Sequence, residues 1–409
     1  DDAAPPADDA ALDAAAQDDA PPAGQDASWH APVHDYYVAT TGDDAADGSL
    51  AHPWATIQHA DTVAGPGDWV HVLPGTYGPG VVTAAAGSSA LRVRYVSEQR
   101  WGAKIVATAA NPATPWTIAG DYQDVVGFDI SSTGSGSATP SIGVLIQASY
   151  ARAIGNKVHD LARDPGCGSS GGAGIDASGW VGGGYAGSDN DTLGNYVYDI
   201  GAGTQCTTVH GIRHGSLRGR IQNNIVLHAA GYGIRLEHAA TNVMVTNNTV
   251  MHAETRACIF VGGTGNDYPG GNGRNDATTV TNNLLVHCGS VALGTAIAIT
   301  DNMVTGVHNL YANNLISDAA TNACSLTNGT CVGTQTGAPA FVNDTGTPLG
   351  DYRIGAASPA VDHGAAACAT GMTDCVPTVD FDCGARPVGV ALDIGAFERG
   401  AAAAWPCSQ

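Results

Sequence analysis

An all-β solenoid, a chain wound into stacked coils of short parallel strands, is the fold this sequence predicts. Three observations predict it. Charged residues make up only 13% of the 409 residues while glycine reaches 55, a composition too poor in Glu, Lys and Arg for long solvated helices. Six segments share an asparagine, apolar residues and a polar residue four places on: Asn156 to Asp160, Asn195 to Asp199, Asn224 to His228, Asn248 to His252, Asn283 to His287 and Asn314 to Asp318. Their asparagines are 39, 29, 24, 35 and 31 residues apart, the mark of a solenoid whose loops vary in length. A second register runs beside the first, a small residue followed by a β-branched one: Gly143-Val144, Gly174-Ile175, Gly211-Ile212, Gly233-Ile234, Cys258-Ile259 and Ala296-Ile297.

Composition also excludes several classes. Hydrophobic residues at 44% are ample for a core, and no apolar run is long enough to span a membrane. Sixteen Lys and Arg against 38 Asp and Glu give a formal charge of −22, so nucleic acid is not an expected partner. An anionic substrate would need a local basic site or a bridging cation.

In chain order, residues 1–28 carry eight Asp and no Lys or Arg and read as a disordered, solvated tether. From Tyr36 to Tyr77 come a strand, an acidic turn and a short helix. Pro53 and Trp54 open that helix, and Ile57, Ala60 and Val63 share one apolar face. Gly65-Pro66-Gly67 ends it before the strand Trp69 to Leu73. This opening resembles that of secreted right-handed parallel β-helix proteins of the pectate-lyase-like superfamily, in which a short helix caps the solenoid. The resemblance implies a single right-handed parallel β-helix with long loops over residues 29–400, then a tail over 401–409. The stacked asparagines should hydrogen-bond along the axis and tolerate a sharp, left-handed bend. The segment from Ser358 to Glu398 resembles the closing segment of such proteins and should cover the exposed core of the last coil.

Ten cysteines with no C-x-x-C pair read as disulfides rather than structural zinc. Short loops favour Cys324–Cys331 and Cys368–Cys375. Cys167–Cys206 and Cys258–Cys288 lie about one coil apart, and Cys383–Cys407 would fasten the tail.

Aligning the coils on their β-branched residue and alternating side chains in and out sends Ile175, Ile212 and Ile234 inward. Asp176, Arg213 and Arg235 then form an outward row, continued by Phe260 and Ala298, with Glu237 on the same face. Five of the 14 arginines lie between positions 213 and 256, beside a cluster of histidines. Such crowding in an acidic protein points to an anion-binding cleft, although a solvated salt-bridge ladder would have the same composition. By parity His210 and His214 share the inward side of Ile212, but His214 precedes Gly215 and Ser216, where the strand should end and free it at the rim. The loop 164–191 offers Trp180 and Tyr185 as a wall that stacks on sugar rings, and 262–276 a second wall.

The superfamily resembled consists mostly of polysaccharide lyases, with hydrolases, epimerases and adhesins as minorities. It implies an acidic, uronate-containing polysaccharide as partner; the acidic tether fits a bacterial protein secreted or tethered at the cell surface, and a monomer is expected. β-Elimination needs a clamp on the uronate carboxylate, a base for the adjacent proton and an acid for the leaving oxygen. Arg213 and Arg235 are the candidate clamp, His214 and His210 the candidate bases and Tyr232 the candidate acid. Asp176, Glu237, His238, Trp180 and Tyr185 would contact substrate. Lys157 is a further candidate, as lysine is the base in some related lyases, although it falls on a different sheet. No cofactor is certain. Calcium is an open candidate, through Asp43, Asp44 and Asp47 or Asp189, Asn190 and Asp191, but the multi-aspartate face of calcium-dependent pectate lyases is missing. A non-enzymatic glycan-binding module, a glycoside hydrolase using Asp176 and Glu237, and a C5 epimerase are the alternatives.

Overall fold

In a computed structural model, the described residues are 30–405 except 165–166, 168–170, 269–270, 291–296, 303 and 319–321. The expected tether, Ala296 and Cys407 lie outside them. Among the described residues three parallel sheets of eleven, nine and ten strands run the length of the chain. Successive strands of one coil belong to different sheets, and each strand pairs with its counterpart one coil on. This is a single right-handed parallel β-helix, the hand expected of parallel crossovers.

Stacking buries one inner corner in each of six successive coils, and the six asparagines fill it. The Asn156 backbone N–H and its Nδ2 both donate to Asn195 Oδ1, at 2.9 and 3.2 Å. Asn195 bonds Asn224 in the same way, Asn224 bonds Asn248, Asn248 bonds Asn283 and Asn283 bonds Asn314. The left-handed backbone lies beside the anchors rather than on them. It falls on the residue before each, Gly155, Gly194, Asn223, Asn247, Asn282 and Asn313, and on the polar residue four places after it.

The small-then-β-branched register has a steric cause that regular alternation misses. A Cβ added to Gly211 or Gly233 would sit 2.4 or 2.3 Å from the Cγ1 of Val226 or Val250, both in the core. The chain thus turns inward at two consecutive residues, the glycine and the isoleucine after it. In the fifth coil the inward Cys258 replaces glycine and is bonded to Cys288. In the sixth coil Ile299, not Ile297, pairs with Ile259, so the repeat there is Ala298-Ile299, and Thr300 rather than Ala298 continues the outer row.

The N-terminal helix spans Ile57–Val63, starting after Pro53 and Trp54 because Thr56 caps it, its Oγ1 accepting from the His59 N–H. Ile57 and Ala60 cover the first coil's core, whereas Val63 faces solvent. Disulfides join Cys167–Cys206, Cys258–Cys288, Cys324–Cys331 and Cys368–Cys375, and Cys383 is also disulfide-bonded.

The closing segment does not lie over the last coil's core. Tyr352, Ile354, Ala360, Phe381, Ile394 and Ala396 pack against Ile225, Leu227, Met251, Leu284, Val286 and Leu315, the outer face of the third sheet. Those strands carry apolar residues on both faces, so one face needs a cover. Trp405 reaches back to Val96, Val126, Ile154 and Leu193.

Replacing Asn248 by Ala orphans the Asn224 backbone N–H and the Ile221 carbonyl it bonds. Each buried orphan costs about 1–3 kcal/mol, so Asn248→Ala should lose about 2–6 kcal/mol in urea denaturation. A loss below about 1 kcal/mol would show that the ladder is incidental.

Candidate functional site

The second sheet carries the candidate site on its outer face. Its strands Gly172–Ala177, Val209–His214, Ile234–Leu236 and Ile259–Val261 pair in order. Their register sets Asp176 opposite Arg213, Arg213 opposite Arg235, and Arg235 opposite Phe260.

A charged row is not by itself unusual in this protein. The first sheet stacks Arg94, Asp124, Arg152 and Asp191 in register, and Asp124 accepts from Arg92, Arg94 and Arg152. That row alternates in sign, as a stabilising ladder should. The second-sheet row sets two arginines side by side, an arrangement that opposes stability unless an anion bridges them.

Glu237 is that anion. Its Oε1 lies 2.6 Å from Arg213 Nε and its Oε2 lies 2.7 Å from Arg235 Nη2. The position where both guanidinium groups converge on one carboxylate is therefore held by the protein's own side chain. Burial works against ionisation, but neighbouring His238, its Nε2 3.4 Å from Oε1, and the two arginines hold the Glu237 carboxyl down at about 2. Asp176 lies behind Arg213, its Oδ1 3.7 Å from Nε, and that oxygen has no hydrogen bond. Burial pushes its carboxyl up to about 6, with Arg213 opposing and the Glu237 charge adding.

Parity reverses at the inward Gly211, so His210 turns outward toward Arg235 rather than into the core. It is 1% exposed; the Arg235 Nη1 donor lies 3.0 Å from its Nε2 and the Tyr232 N–H 3.3 Å from its Nδ1, of which a neutral ring can accept only one. Donors face both ring nitrogens, which disfavours the charged ring. Burial and the Arg235 charge push its pKa down to about 3. His214 is not at the rim. The strand continues through it, opposite Leu236, and its fully buried ring bonds the Arg218 carbonyl at 2.9 Å. Burial pushes it down to about 4.

Tyr232 and Phe260 form one side of the site, with ring centroids 4.9 Å apart and the Arg235 guanidinium 5.6 and 5.5 Å from them. On the other side a hairpin pairs Trp180–Val181 with Gly184–Tyr185, its turn made by Gly182 and Gly183, both at positive φ. Tyr185 stacks on His238 at 3.7 Å, and Trp180 meets Tyr185 edge-on at 4.8 Å. Trp180 remains 42% exposed.

Lys157 does not join this group. It belongs to the third sheet, where its Nζ pairs with Asp129 at 2.6 Å. The two aspartate runs weighed for calcium serve other contacts: Asp44 receives the Ala55 and Thr56 N–H groups, and Asp189 and Asp191 pair with Arg218 and Arg220. Asp267, which sequence reasoning did not single out, accepts from His238 Nδ1 at 2.9 Å. Its only sequence signal was membership of the 262–276 wall.

Because the folded-state pKa of Asp176 lies above the ordinary 3.8, the folded protein holds its proton more tightly than the unfolded chain. Asp176 therefore withdraws stability as pH rises from about 4 to 6 and beyond. Asp176→Asn should match the wild type near pH 4 and exceed it by about 1–3 kcal/mol at pH 8, read from paired denaturation curves. A variant less stable at pH 8 would show that Arg213 needs this charge.

No protein-family model and no curated protein matches the chain. Among solved structures it is similar to pectate lyase Pel9A, at 15% identity and a TM-score of 0.53, with 90% of this chain and 97% of that one covered. It is also similar to an alginate lyase from Paenibacillus sp. str. FPU-7, at 14% identity and a TM-score of 0.51, covering 74% and 95%. With the sheets described above, these likenesses show a right-handed parallel β-helix fold.

Proposed function

We propose that the protein is a secreted polysaccharide lyase that cleaves a uronate-containing glycan by β-elimination, with the outer face of the second sheet as its active site. One observation carries this reading. Arg213 and Arg235 are stacked on adjacent coils, converging on a carboxylate position between two aromatic walls, in a protein of formal charge −22.

Each guanidinium has five N–H donors, and Glu237 engages only part of each set, so donors remain for a uronate carboxylate. The side chains of Arg213 and Arg235 are 16% and 26% exposed. Arginine stays protonated throughout the useful pH range and stabilises the enolate-like charge that builds on the carboxylate as the adjacent proton leaves. Trp180 and Tyr185 provide an apolar face for a sugar ring, and Tyr232 stands beside Arg235 as the acid for the departing oxygen. The similar structures, a pectate lyase and an alginate lyase, support an acidic polysaccharide. Four described disulfides favour an oxidising compartment, and no described helix is long and apolar enough to cross a membrane.

A second reading rests on Asp176 and Glu237. One carboxyl is raised to about 6 and the other lowered to about 2, the separation that a glycoside hydrolase uses for its acid and its nucleophile. Incubation with alginate, polygalacturonate and glycosaminoglycans separates the two. A lyase yields an ultraviolet-absorbing unsaturated end, whereas a hydrolase yields reducing ends without that absorbance.

On the substrate so identified, Arg235→Gln should lower turnover by about 100- to 1000-fold while stability falls by about 1 kcal/mol. Full activity of this variant would remove Arg235 from the clamp. Trp180→Ala should raise KM by on the order of tenfold, the scale of one aromatic contact, with kcat and thermal stability little changed. An unaltered KM would place the sugar elsewhere.

A further inference from the structure

We propose that His238, oriented by Asp267, is the group that removes the proton next to the uronate carboxylate, an inference that rests on the lyase reading above. The sequence pointed to His210 and His214 as bases, but both rings are buried and bonded to the scaffold. His238 is the histidine of this face that remains partly open, with its side chain 21% exposed.

The geometry assigns its protons. A carboxylate only accepts, so the contact of 2.9 Å to Asp267 Oδ2 places a hydrogen on Nδ1. Arginine only donates, so the contact of 3.2 Å from Arg213 Nη2 places the lone pair on Nε2. The two contacts select one neutral tautomer, whose Nε2 lone pair accepts from Arg213 and is presented to substrate once a uronate carboxylate takes that donor. Asp267 is itself held, because its loop is pinned to the His238 turn. The Thr264 N–H donates to the His238 carbonyl at 3.0 Å, and the Tyr268 hydroxyl donates to the Ala240 carbonyl at 2.7 Å. Tyr185, stacked flat on the imidazole, fixes the plane of the ring.

Position completes the argument. The acidic hydrogen of a uronate sits on C5, the carbon bonded to the carboxyl carbon. A carboxylate resting on Arg213 therefore brings that C–H beside Nε2. In the step, Nε2 takes the C5 proton and the C–H electron pair becomes an enolate on the carboxylate, facing Arg213 and Arg235. The C4–O4 bond then breaks as the C4=C5 double bond forms, and O4 takes up one proton, from the imidazolium or from Tyr232. No oxidant or further reactant is needed. The groups facing the imidazole are Arg213, Glu237, Asp267, Tyr185 and, through its charge, Asp176.

The test uses the full-length protein with alginate and polygalacturonate, following unsaturated product. If the wild type forms none from any polyuronate, the lyase reading fails and this assignment fails with it. Given activity, His238→Ala should lower kcat by about 100- to 10,000-fold, the range of a general base, with KM within about threefold, and added imidazole should restore at least about tenfold. Asp267→Asn, nearly isosteric, should lower kcat and move the acidic limb of the kcat/KM profile toward lower pH by about one unit, because a carboxylate partner stabilises the imidazolium. That shift decides the matter if His238→Ala does not fold. A His238→Ala protein retaining activity within about threefold, or an Asp267→Asn limb that does not move, would overturn the assignment while leaving the lyase reading standing.

Discussion

A buried amide cannot be left unpaired, and in this molecule that requirement is met by stacking. Each anchor asparagine in the ladder from Asn195 to Asn314 offers one side-chain oxygen to two N–H groups of the coil before it. A coil that slid by one residue would leave those donors facing apolar core, at a penalty of about 1–3 kcal/mol for each orphaned group. The ladder thereby locks the translation between coils, although their lengths range from 24 to 39 residues. Everything on the outer faces inherits that register. Arg213 and Arg235 are neighbours because the asparagines at 195, 224 and 248 are neighbours.

The two charged rows show what such register can be used for. On the first sheet, opposite charges alternate, and the buried arginines around Asp124 hold its carboxyl far below the usual carboxylate range against the cost of burial. On the second sheet two like charges sit opposite one another on adjacent strands, which opposes stability. Glu237 offsets this from two residues further along the chain, just past the strand end, and in doing so leaves Asp176 poorly neutralised. A stretch in which local rules favour a different residue is where functional demands are expected to show.

Much of this was legible in the sequence. The repeated asparagines and the Gly-Ile pairs defined the coils, and in-out alternation set Asp176, Arg213 and Arg235 in one row. The misreadings share a physical origin. Alternation assumes a regular strand, and Gly211 breaks it by turning inward beside Ile212, which carries His210 to the outer face. His214 was expected to escape because Gly215 and Ser216 follow it, yet the strand runs through it and buries it. Asp267 sits in a loop whose path obeys no period, so no spacing argument could bring it to His238. The closing segment was read as a lid on the last coil, whereas the apolar outer residues of the third sheet, Leu227, Met251 and Leu284 among them, call for a cover along the side.

That sideways cover changes how the molecule should come apart. In a simple solenoid each coil touches only its neighbours, so the ends can fray independently of the middle. Here the segment from Phe341 to Ala396 packs across strands of several successive coils, from Ile225 to Leu315. Arg100, near the beginning of the helix, pairs with Asp382, and Trp405 settles among residues as early as Val96. The C-terminal segment is thereby fastened to the early coils along the side of the stack. Loosening one coil means loosening the strap that clasps the others, so a one-dimensional array becomes a single cooperative unit, and the face bearing Arg213 and Arg235 has the rigidity of the whole.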